Sequence, residues 1–270
     1  MLLQNLGSSS SGNCTLIKEN NHAILVDCGF SQAYTLQELK KLNLNFSLLN
    51  GVLITHTHTD HISKWALKAF VDNRVPIFCH KRVADIIIKK HDFIKESGRT
   101  NIISTFEDNI FKIGPLSVQA FTVPHDSEGG CVGYNIFAVN NGGTKKITIS
   151  TDLGYTENGL SDKFKDSDAI VIESNHDDGM LESSNRPYFL IQRIKEIGHL
   201  SNNQCSKFML DVLIKSEKKP SHIMLAHISQ QCNTNDLAVK NMRKSLDDNK
   251  YNEIEIVETF KDKSSKKIIL

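Results

Sequence analysis

Short apolar runs rich in β-branched residues recur along the chain and alternate with amphipathic stretches. A run of four to eight such residues between polar or glycine positions predicts a β-strand. Eight runs fit this pattern: 23–27, 52–55, 75–79, 116–123, 132–139, 146–150, 169–173 and 221–226. In the middle of the chain these runs are consecutive, as expected for β-hairpins. Toward both ends of the chain they alternate with helical patterns.

Apolar residues spaced three or four positions apart predict six helices between these strands. The first begins at Ser31, a residue type that caps helices, and carries Leu36, Leu39 and Leu42 on one face. The others cover 65–73, 82–91, 186–197, 203–215 and 235–246. Sheets covered on the outside by helices account for this order of elements. The sequence therefore predicts an α/β protein of about four layers, with residues 1–270 in a single domain, and it leaves the strand order open.

Charge restricts the classes of partner. The 270 residues include 32 Lys and Arg against 31 Asp and Glu, for a formal net charge of +1. This balance excludes a protein held on nucleic acid by bulk charge and leaves room for a local basic groove. Basic residues are concentrated at 81–82, 89–90, 215–219 and 266–267.

Three further features bear on location. No apolar stretch approaches the ~18–20 residues that a membrane span needs, and the first residues lack the charged and apolar regions of a secretory signal. Six cysteines are scattered without a C-x-x-C pair, which predicts free thiols in a reducing compartment. The sequence thus predicts a cytoplasmic protein without a membrane partner.

The strongest chemical signal is the run His56-Thr57-His58-Thr59-Asp60-His61, directly after an apolar strand. Alternate residues of an extended segment point the same way, so His56 and His58 can converge on one ion. The chain then turns toward a helix, which can aim Asp60 and His61 at a neighbouring ion. A chance run of this kind is expected on the order of once in a thousand such chains, whereas three exposed loop histidines are the alternative. Imidazole and carboxylate ligands suit zinc, and they also accept manganese and iron.

Three later residues stand at the ends of apolar strands. They are His125, Asp152 and His227. A single histidine at a strand end is more often a surface residue, but loops at one edge of a sheet converge. Their recurrence beside the histidine run predicts that they complete a site for two divalent metal ions.

These residues together resemble the five-motif signature of the metallo-β-lactamase fold superfamily. The resemblance spans nearly the whole chain and implies a four-layer αββα sandwich with two metals at the strand-end edge. It implies one metal held by His56, His58 and His125, a second held by Asp60, His61 and His227, and Asp152 between them. It also implies that Asp27 orients a ligand or the metal loop, whereas a turn-forming aspartate before Gly29 is the alternative.

The expected chemistry follows from the two cations. Divalent ions ~3.5–4 Å apart lower the pKa of a bridging water and stabilise charge on the attacking and leaving oxygens. The sequence contains no G-x-S-x-G motif, which would have indicated a serine nucleophile instead. The predicted reaction is hydrolysis by a metal-bridging hydroxide.

Three stretches resemble the YycJ/WalJ branch of the superfamily more closely. They are Gly7-Ser8-Ser9-Ser10-Ser11-Gly12-Asn13, Gly198-His199-Leu200-Ser201-Asn202, and His227-Ile228-Ser229 followed by Cys232-Asn233. Cys232 departs from the pattern, because asparagine is usual there. Backbone N–H groups and hydroxyls of the first stretch can cradle a phosphate, with a plain strand-to-strand turn as the alternative. We expect Ser9, Asn13, His176 and Ser201 to contact substrate.

The pair formed by Glu173 and the His199 motif also resembles RNase Z-type phosphodiesterases. That resemblance implies that His199 protonates the departing 3′ oxygen, while a histidine that only caps a helix end is the alternative. Asp60 would hold the attacking water or support His199. Arg193 is expected to be a solvated helix arginine, with contact to phosphate as the second reading.

The YycJ/WalJ branch is associated with 5′→3′ exonuclease activity on double-stranded DNA. The resemblance therefore implies a DNA phosphodiesterase that works in repair. Two alternatives stay open at this point. One is a small-molecule hydrolase acting on a cyclic nucleotide, thioester or lactone, and the other is a metal-binding scaffold without turnover.

Overall fold

The first half of the chain builds one sheet, and the second half builds another. A computed structural model describes residues 1–107, 109–140 and 143–270, with Asn140 described by its backbone alone. The first sheet contains β1 (Leu2–Ser9), β2 (Gly12–Glu19), β3 (His22–Val26), β4 (Gly51–Leu53), β5 (Ile77–His80) and β6 (Ile103–Phe106). The second contains β7 (Phe111–Ile113), β8 (Leu116–Val123), β9 (Cys131–Asn140), β10 (Gly143–Ser150), β11 (Ala169–Glu173), β12 (His222–Ala226) and β13 (Glu255–Glu258). The last strand, β14 (Ile268–Ile269), returns to the first sheet beside β1.

Both sheets are mixed and are built on the same plan. The strand orders are β14-β1-β2-β3-β4-β5-β6 and β13-β12-β11-β10-β9-β8-β7. In each sheet an antiparallel meander comes first, and the following strands pair in parallel, from β3 to β6 and from β10 to β13. Parallel strands end at the same edge, so the loops after them meet there.

Helices cover the outer face of each sheet. The first half supplies α1 (Gln32–Lys40), α2 (Lys64–Asn73), α3 (Lys81–Lys90) and α4 (Asp92–Glu96). The second half supplies α5 (Leu160–Phe164), α6 (Asp178–Glu182), α7 (Tyr188–Arg193), α8 (Asn202–Lys215) and α9 (Asn235–Asp248). Short 3₁₀ turns occupy Phe46–Leu48 and Thr100–Ile102, and a π-helical turn at Ile194–Gly198 follows α7. No helix among the described residues is long and apolar enough to cross a membrane.

Three apolar clusters lie between the four layers. Leu67 and Phe70 of α2 pack on the first sheet, whereas Val212 of α8 belongs to the cluster on the second sheet. Between the sheets, Leu53 of β4 lies in one cluster with Tyr134 of β9. The predicted αββα sandwich is confirmed. The six cysteines are buried free thiols, also as predicted.

The eight predicted strands and six predicted helices are present, with most ends shifted by one to three residues. Short strands were missed, including β6, β7, β13 and β14, because they are only two to four residues long. The helix predicted at 186–197 is shorter than expected. Pro187 precedes its first turn, and after Arg193 the chain widens into the π-helical turn.

Candidate active site

Three candidate residues occupy sharp turns at strand ends. Asp27 directly follows β3, Asp152 lies just beyond β10, and His227 directly follows β12. Their φ angles are 59°, 57° and 56°, the left-handed region that L-residues other than glycine rarely adopt. Such conformations cost roughly 1–2 kcal/mol and persist where surrounding contacts fix them. Each turn brings a polar side chain back over the edge of its sheet.

One group of side chains combines the first two histidines of the run with His125 and Asp152. The ligand atoms of His56, His58, His125 and Asp152 all lie within 4.8 Å of one another. His125 Nε2 is 3.3 Å from His58 Nδ1 and 3.6 Å from Asp152 Oδ1. His125 Nδ1 donates to the carbonyl of Gly198 at 3.0 Å, which leaves Nε2 as the nitrogen with a lone pair.

His56 is oriented by a short relay of hydrogen bonds. The hydroxyl of Thr55 donates to Asp27 Oδ2 at 2.8 Å, so it can accept from His56 Nδ1 at 3.0 Å. His56 Nε2 is buried and has no hydrogen-bond partner among the described residues. Because buried polar atoms are nearly always satisfied, this nitrogen is placed for a cation.

A second group lies on the other side of Asp152. His227 Nε2 is 3.2 Å from Asp60 Oδ2, and His61 Nε2 is 3.4 Å from the same oxygen. Asp152 turns Oδ2 toward His61 at 2.8 Å, whereas Oδ1 lies 3.6 Å from His125 in the first group. One carboxylate therefore faces both groups, which is the position that a bridging ligand needs.

Buried carboxylates and amides hold the second group in place. Asp27 Oδ2 accepts from His61 Nδ1 at 2.8 Å, and Asn13 Nδ2 lies 3.1 Å from His61 Nε2. Glu173 is fully buried at the end of β11 and serves several partners. Its Oε2 lies 3.1 Å from His227 Nδ1 and 3.0 Å from His199 Nδ1, and its Oε1 accepts from the backbone N–H of Leu200 at 2.8 Å.

The electrostatics of the two groups fit divalent cations. Burial holds the pKa of His56 well below its usual range, and burial also lowers the pKa values of His58 and His125. These imidazoles are therefore neutral and offer lone pairs. Burial disfavours a charged His227, but Asp152, Asp60 and Glu173 outweigh it and raise its pKa to about 10. A cation would take the place of that proton, since metal binding requires deprotonated ligands.

Carboxylates in the cluster carry the complementary charge. Burial opposes ionisation of Asp60 and Asp152, but neighbouring histidines hold both pKa values below the ordinary range. Burial also opposes ionisation of Glu173, but His199 and His227 lower its pKa to about 2. Buried negative charge is costly unless it is paired. Two divalent ions among these side chains would supply that pairing.

A pocket of about 460 Å³ opens over both groups. Asp60, His125, Asp152, His199 and His227 line its floor and walls, and its rim includes the residues Ser10, Lys90, Asp126 and Arg193. Five of the seven predicted metal ligands therefore line one cavity together with His199, whereas His56 and His61 are buried beside it.

The four residues expected to contact substrate lie in different places. The stretch Gly7–Asn13 forms the tip of the β1–β2 hairpin, with Ser9 paired to Gly12. Ser9 and Asn13 are buried below the pocket, whereas Ser10 of the same hairpin lines it. Ser201 is buried as the N-cap of α8 and accepts from the N–H of Gln204. His176 lies in a smaller neighbouring pocket.

Sequence reasoning overlooked several residues of this site. Glu173 was noted as part of a motif but not placed among the site residues, although it contacts both His199 and His227. Ser8 accepts from the N–H of His227 through its hydroxyl at 2.8 Å, and Asn175 donates to the carbonyl of His227 at 2.9 Å. Glu173 ends β11, and Asn175 lies two residues beyond it. This position at a strand end, like that of Asp152, is the sequence signal that could have identified both residues.

Gly29 lies between β3 and α1 and lets this loop approach the loop that holds Asp60 and His61, and we expect Gly29→Ala to damage the site. An added Cβ would lie 1.8 Å from the carbonyl oxygen of Asp60, so the loop holding Asp60 and His61 would have to move. We expect metal affinity to fall by about 10–100-fold, as when the support of a ligand is lost, and the free energy of unfolding to fall by about 1–3 kcal/mol.

Metal titration and urea unfolding measure these two effects. Gly179→Ala is the matched control, because its Cβ would meet Asp177 Oδ1 at an ordinary 3.4 Å. If Gly29→Ala bound metal and unfolded as the wild type does, the close approach of the two loops would be wrong.

Comparisons with known proteins identify this arrangement. The family model described as "Beta-lactamase superfamily domain" matches residues 22–228. Exodeoxyribonuclease YycJ of Bacillus anthracis is 28% identical over 244 residues, which are 90% of this chain and 88% of the relative. Exodeoxyribonuclease WalJ of Streptococcus pneumoniae is 28% identical over 250 residues, with 89% and 86% covered. The Zn²⁺-bound PqqB of Methylobacterium extorquens superposes over 100% of both chains with a TM-score of 0.70 and 15% identity. The chain therefore belongs to the metallo-β-lactamase superfamily, with the histidine and aspartate clusters of a metal-dependent hydrolase at one edge of its two sheets.

Proposed function

We propose that this protein is a phosphodiesterase that uses two divalent metal ions to degrade DNA from 5′ ends. The YycJ and WalJ proteins, which are similar to it over about nine-tenths of its length, are named exodeoxyribonucleases. Zinc is the proposed metal, with manganese or iron as substitutes, because the ligands are imidazoles and carboxylates. The proposed ligands are His56, His58, His125, Asp152, Asp60, His61 and His227.

The observation that carries this proposal is the placement of His199. Its Nδ1 is engaged by Glu173 at 3.0 Å, which leaves Nε2 available to a substrate. Its side chain is 22% exposed and lines the same pocket as Asp152 and Asp60. The π-helical turn before it and Gly154 behind it fix the loop, since a Cβ on Gly154 would lie 2.1 Å from the carbonyl oxygen of Ile197. A held histidine opposite the metal ligands is suited to protonate a leaving oxygen.

Basic residues at the rim favour a phosphate-containing substrate. Lys90, at the end of α3, and Arg193, at the end of α7, both line the pocket. Lys90 pairs with Glu128 at 2.9 Å, and Arg193 pairs with Asp126 at 2.5 Å. Exposed ion pairs contribute little to stability, about 0–1 kcal/mol. The side chains of Lys90 and Arg193 can therefore leave these pairs and contact a phosphate. Arg193 is half-exposed and lines the pocket, which supports contact with phosphate, the second interpretation of this residue.

Of the four basic clusters noted in the sequence, the one at 89–90 contributes a residue to the pocket lining. Lys90 lies at the pocket, as a DNA-binding groove would require. Lys215 instead contacts Asp211 and Ser161, and Lys218 contacts Asp168, away from the residues that line the pocket. The exposed rings of Tyr188 and Phe189 precede Arg193 on α7. Exposed aromatic rings beside a cationic rim are suited to stacking on bases.

Different residues of the chain would have different roles in hydrolysis. The metals, when bound, supply activation of water and stabilisation of the developing phosphate charge. Lys90 and Arg193 would orient the substrate phosphates over the pocket. Asp60, whose Oδ2 lies between His61 and His227, would orient the attacking water. His199 would donate a proton to the departing 3′ oxygen, with Glu173 restraining its ring.

Substrate class can be tested directly with purified protein supplied with Zn²⁺ or Mn²⁺. Separate assays offer a 3′-labelled DNA duplex, a cyclic nucleotide, a lactone and a thioester. We expect the duplex to be shortened from its 5′ ends, and we expect Asp60→Ala to lose this activity. Asp72→Ala, which removes an exposed aspartate of α2 paired with Lys68, is the control and should retain it.

Two other results would contradict the proposal. Turnover of the cyclic nucleotide, lactone or thioester without digestion of DNA would indicate a small-molecule hydrolase. Two bound metals without any turnover would indicate a metal-binding scaffold.

A further inference from the structure

A small side pocket opens next to the metal pocket, on the side of His199. The two pockets share Ser10, Arg193, Ile194 and His199 in their walls. The side pocket has a volume of about 150 Å³, against about 460 Å³ for the metal pocket. It is the smaller of the two and suits a small polar group such as a phosphate. The side pocket is therefore an extension of the candidate active site with room for one small group.

His176 stands in the wall of this side pocket without a partner. Its side chain is 1% exposed, and neither ring nitrogen has a hydrogen-bond partner among the described residues. Asp178 Oδ1 lies 4.0 Å from Nε2, beyond hydrogen-bonding distance. Because buried polar groups are nearly always hydrogen-bonded, the ring is placed for a polar ligand.

The side pocket is also lined by two arginines, an amide, a thiol and hydroxyls. Arg186 Nε is buried and also lacks a partner among the described residues, while its Nη2 donates to Gln231 at 2.9 Å. Arg193 lies at the boundary between the two pockets, and Ser229 adds a hydroxyl. None of the described residues that line the side pocket is an aspartate or glutamate. The guanidinium of Arg186 has no carboxylate partner among the described residues and favours an anion such as phosphate. Arg193 would join it by leaving its exposed pair with Asp126.

We propose that the side pocket binds the 5′-terminal phosphate of the strand being degraded. This inference rests on the proposed function and specifies which end of the strand the enzyme recognises. The scissile phosphate, one nucleotide further along, would lie in the metal pocket. His199 stands between the two positions, where the 3′ oxygen of the terminal nucleotide would be.

Hydrolysis of the scissile phosphate in the metal pocket leaves a new 5′ phosphate on the shortened strand, which fits a 5′-phosphate site in the side pocket. Water adds its oxygen to phosphorus, the bond from phosphorus to the 3′ oxygen breaks, and that oxygen takes a proton. The released nucleotide keeps its 5′ phosphate and gains a 3′ hydroxyl. The shortened strand carries a new 5′ phosphate, which is the group that the side pocket binds in the next cycle.

The test compares two duplexes of one sequence, with either a 5′ phosphate or a 5′ hydroxyl on the degraded strand. We expect the wild type to digest the phosphorylated duplex at least about tenfold faster. The ratio of the two rates should fall to near one in Arg186→Met and in His176→Leu. Arg243→Met is the matched control, because Arg243 pairs with Asp247 on α9 and lines neither pocket. Arg186 is half-buried and belongs to none of the apolar clusters, so its replacement leaves them intact.

The possible failures are distinguishable. If the wild type digested both duplexes at equal rates, the inference that the side pocket binds the 5′ phosphate would be wrong. The proposed exonuclease function would still stand. A high ratio retained by both variants would also overturn the inference. If neither duplex were digested, both the inference and the proposed function would fall.

Discussion

Replacing Asp152 by asparagine is expected to lower hydrolysis of a phosphodiester by about a thousandfold, because weaker metal binding would remove several kcal/mol of the charge stabilisation that two metal ions supply. Asp152 directs one oxygen toward His125 and the other toward His61, so it is the side chain that faces both groups of ligands. An amide of the same size keeps the shape but loses the charge and one of the two acceptors. The metal content should fall together with the rate.

The substrate for this measurement is bis-p-nitrophenyl phosphate, which needs no contacts specific to DNA. Metal content is determined by atomic spectroscopy on the same samples. Asp168→Asn is the matched control, since Asp168 is a buried carboxylate that precedes β11 and pairs with Lys145 and Lys218. It is expected to lose stability and to keep both metals. An active Asp152→Asn variant with two bound metals would show that the bridging position was assigned wrongly.

The residues that sequence reasoning found share a local signal. The run from His56 to His61 is contiguous, and an extended segment followed by a turn is enough to predict which side chains point together. His125, Asp152 and His227 are distant in sequence, but each ends an apolar strand. Because parallel strands end at one edge, their loops meet there, and the structure brings these side chains within a few ångströms of one another.

The residues that were missed depend on contacts between distant parts of the chain. Asn13 was predicted only to contact substrate. Its position beside His61 arises because the β1–β2 hairpin folds against the loop that holds Asp60, with the N–H of Asn13 donating to the carbonyl of Asp60 at 2.8 Å. Glu173 acts between His199 and His227, which lie 26 and 54 positions away from it. Nothing in the local pattern fixes such distances. The turn at Ile194–Gly198 is a further case, because a single π-helical turn with i→i+5 hydrogen bonds contains too few apolar positions to reveal a change of period.

Replacing His199 by alanine is expected to separate two substrates that differ in their leaving group. A 3′ oxygen of DNA must be protonated as it departs, and removal of a general acid costs about 10²–10⁴ in rate. A nitrophenolate departs as an anion and needs no such proton. The rate on duplex DNA should therefore fall by that factor in His199→Ala, while the rate on bis-p-nitrophenyl phosphate should fall far less.

His222→Ala is the matched control, because His222 begins the strand that His227 follows and pairs with Glu255 at the opposite end. It should leave both rates unchanged. An equal loss on both substrates in His199→Ala would assign His199 to holding the site together, since its ring also lies 3.6 Å from Asp152. Glu173→Gln then separates the two roles further. It keeps a hydrogen-bond partner for the His199 ring but removes the carboxylate charge that faces it at 3.0 Å, so it should again slow DNA more than the nitrophenyl ester.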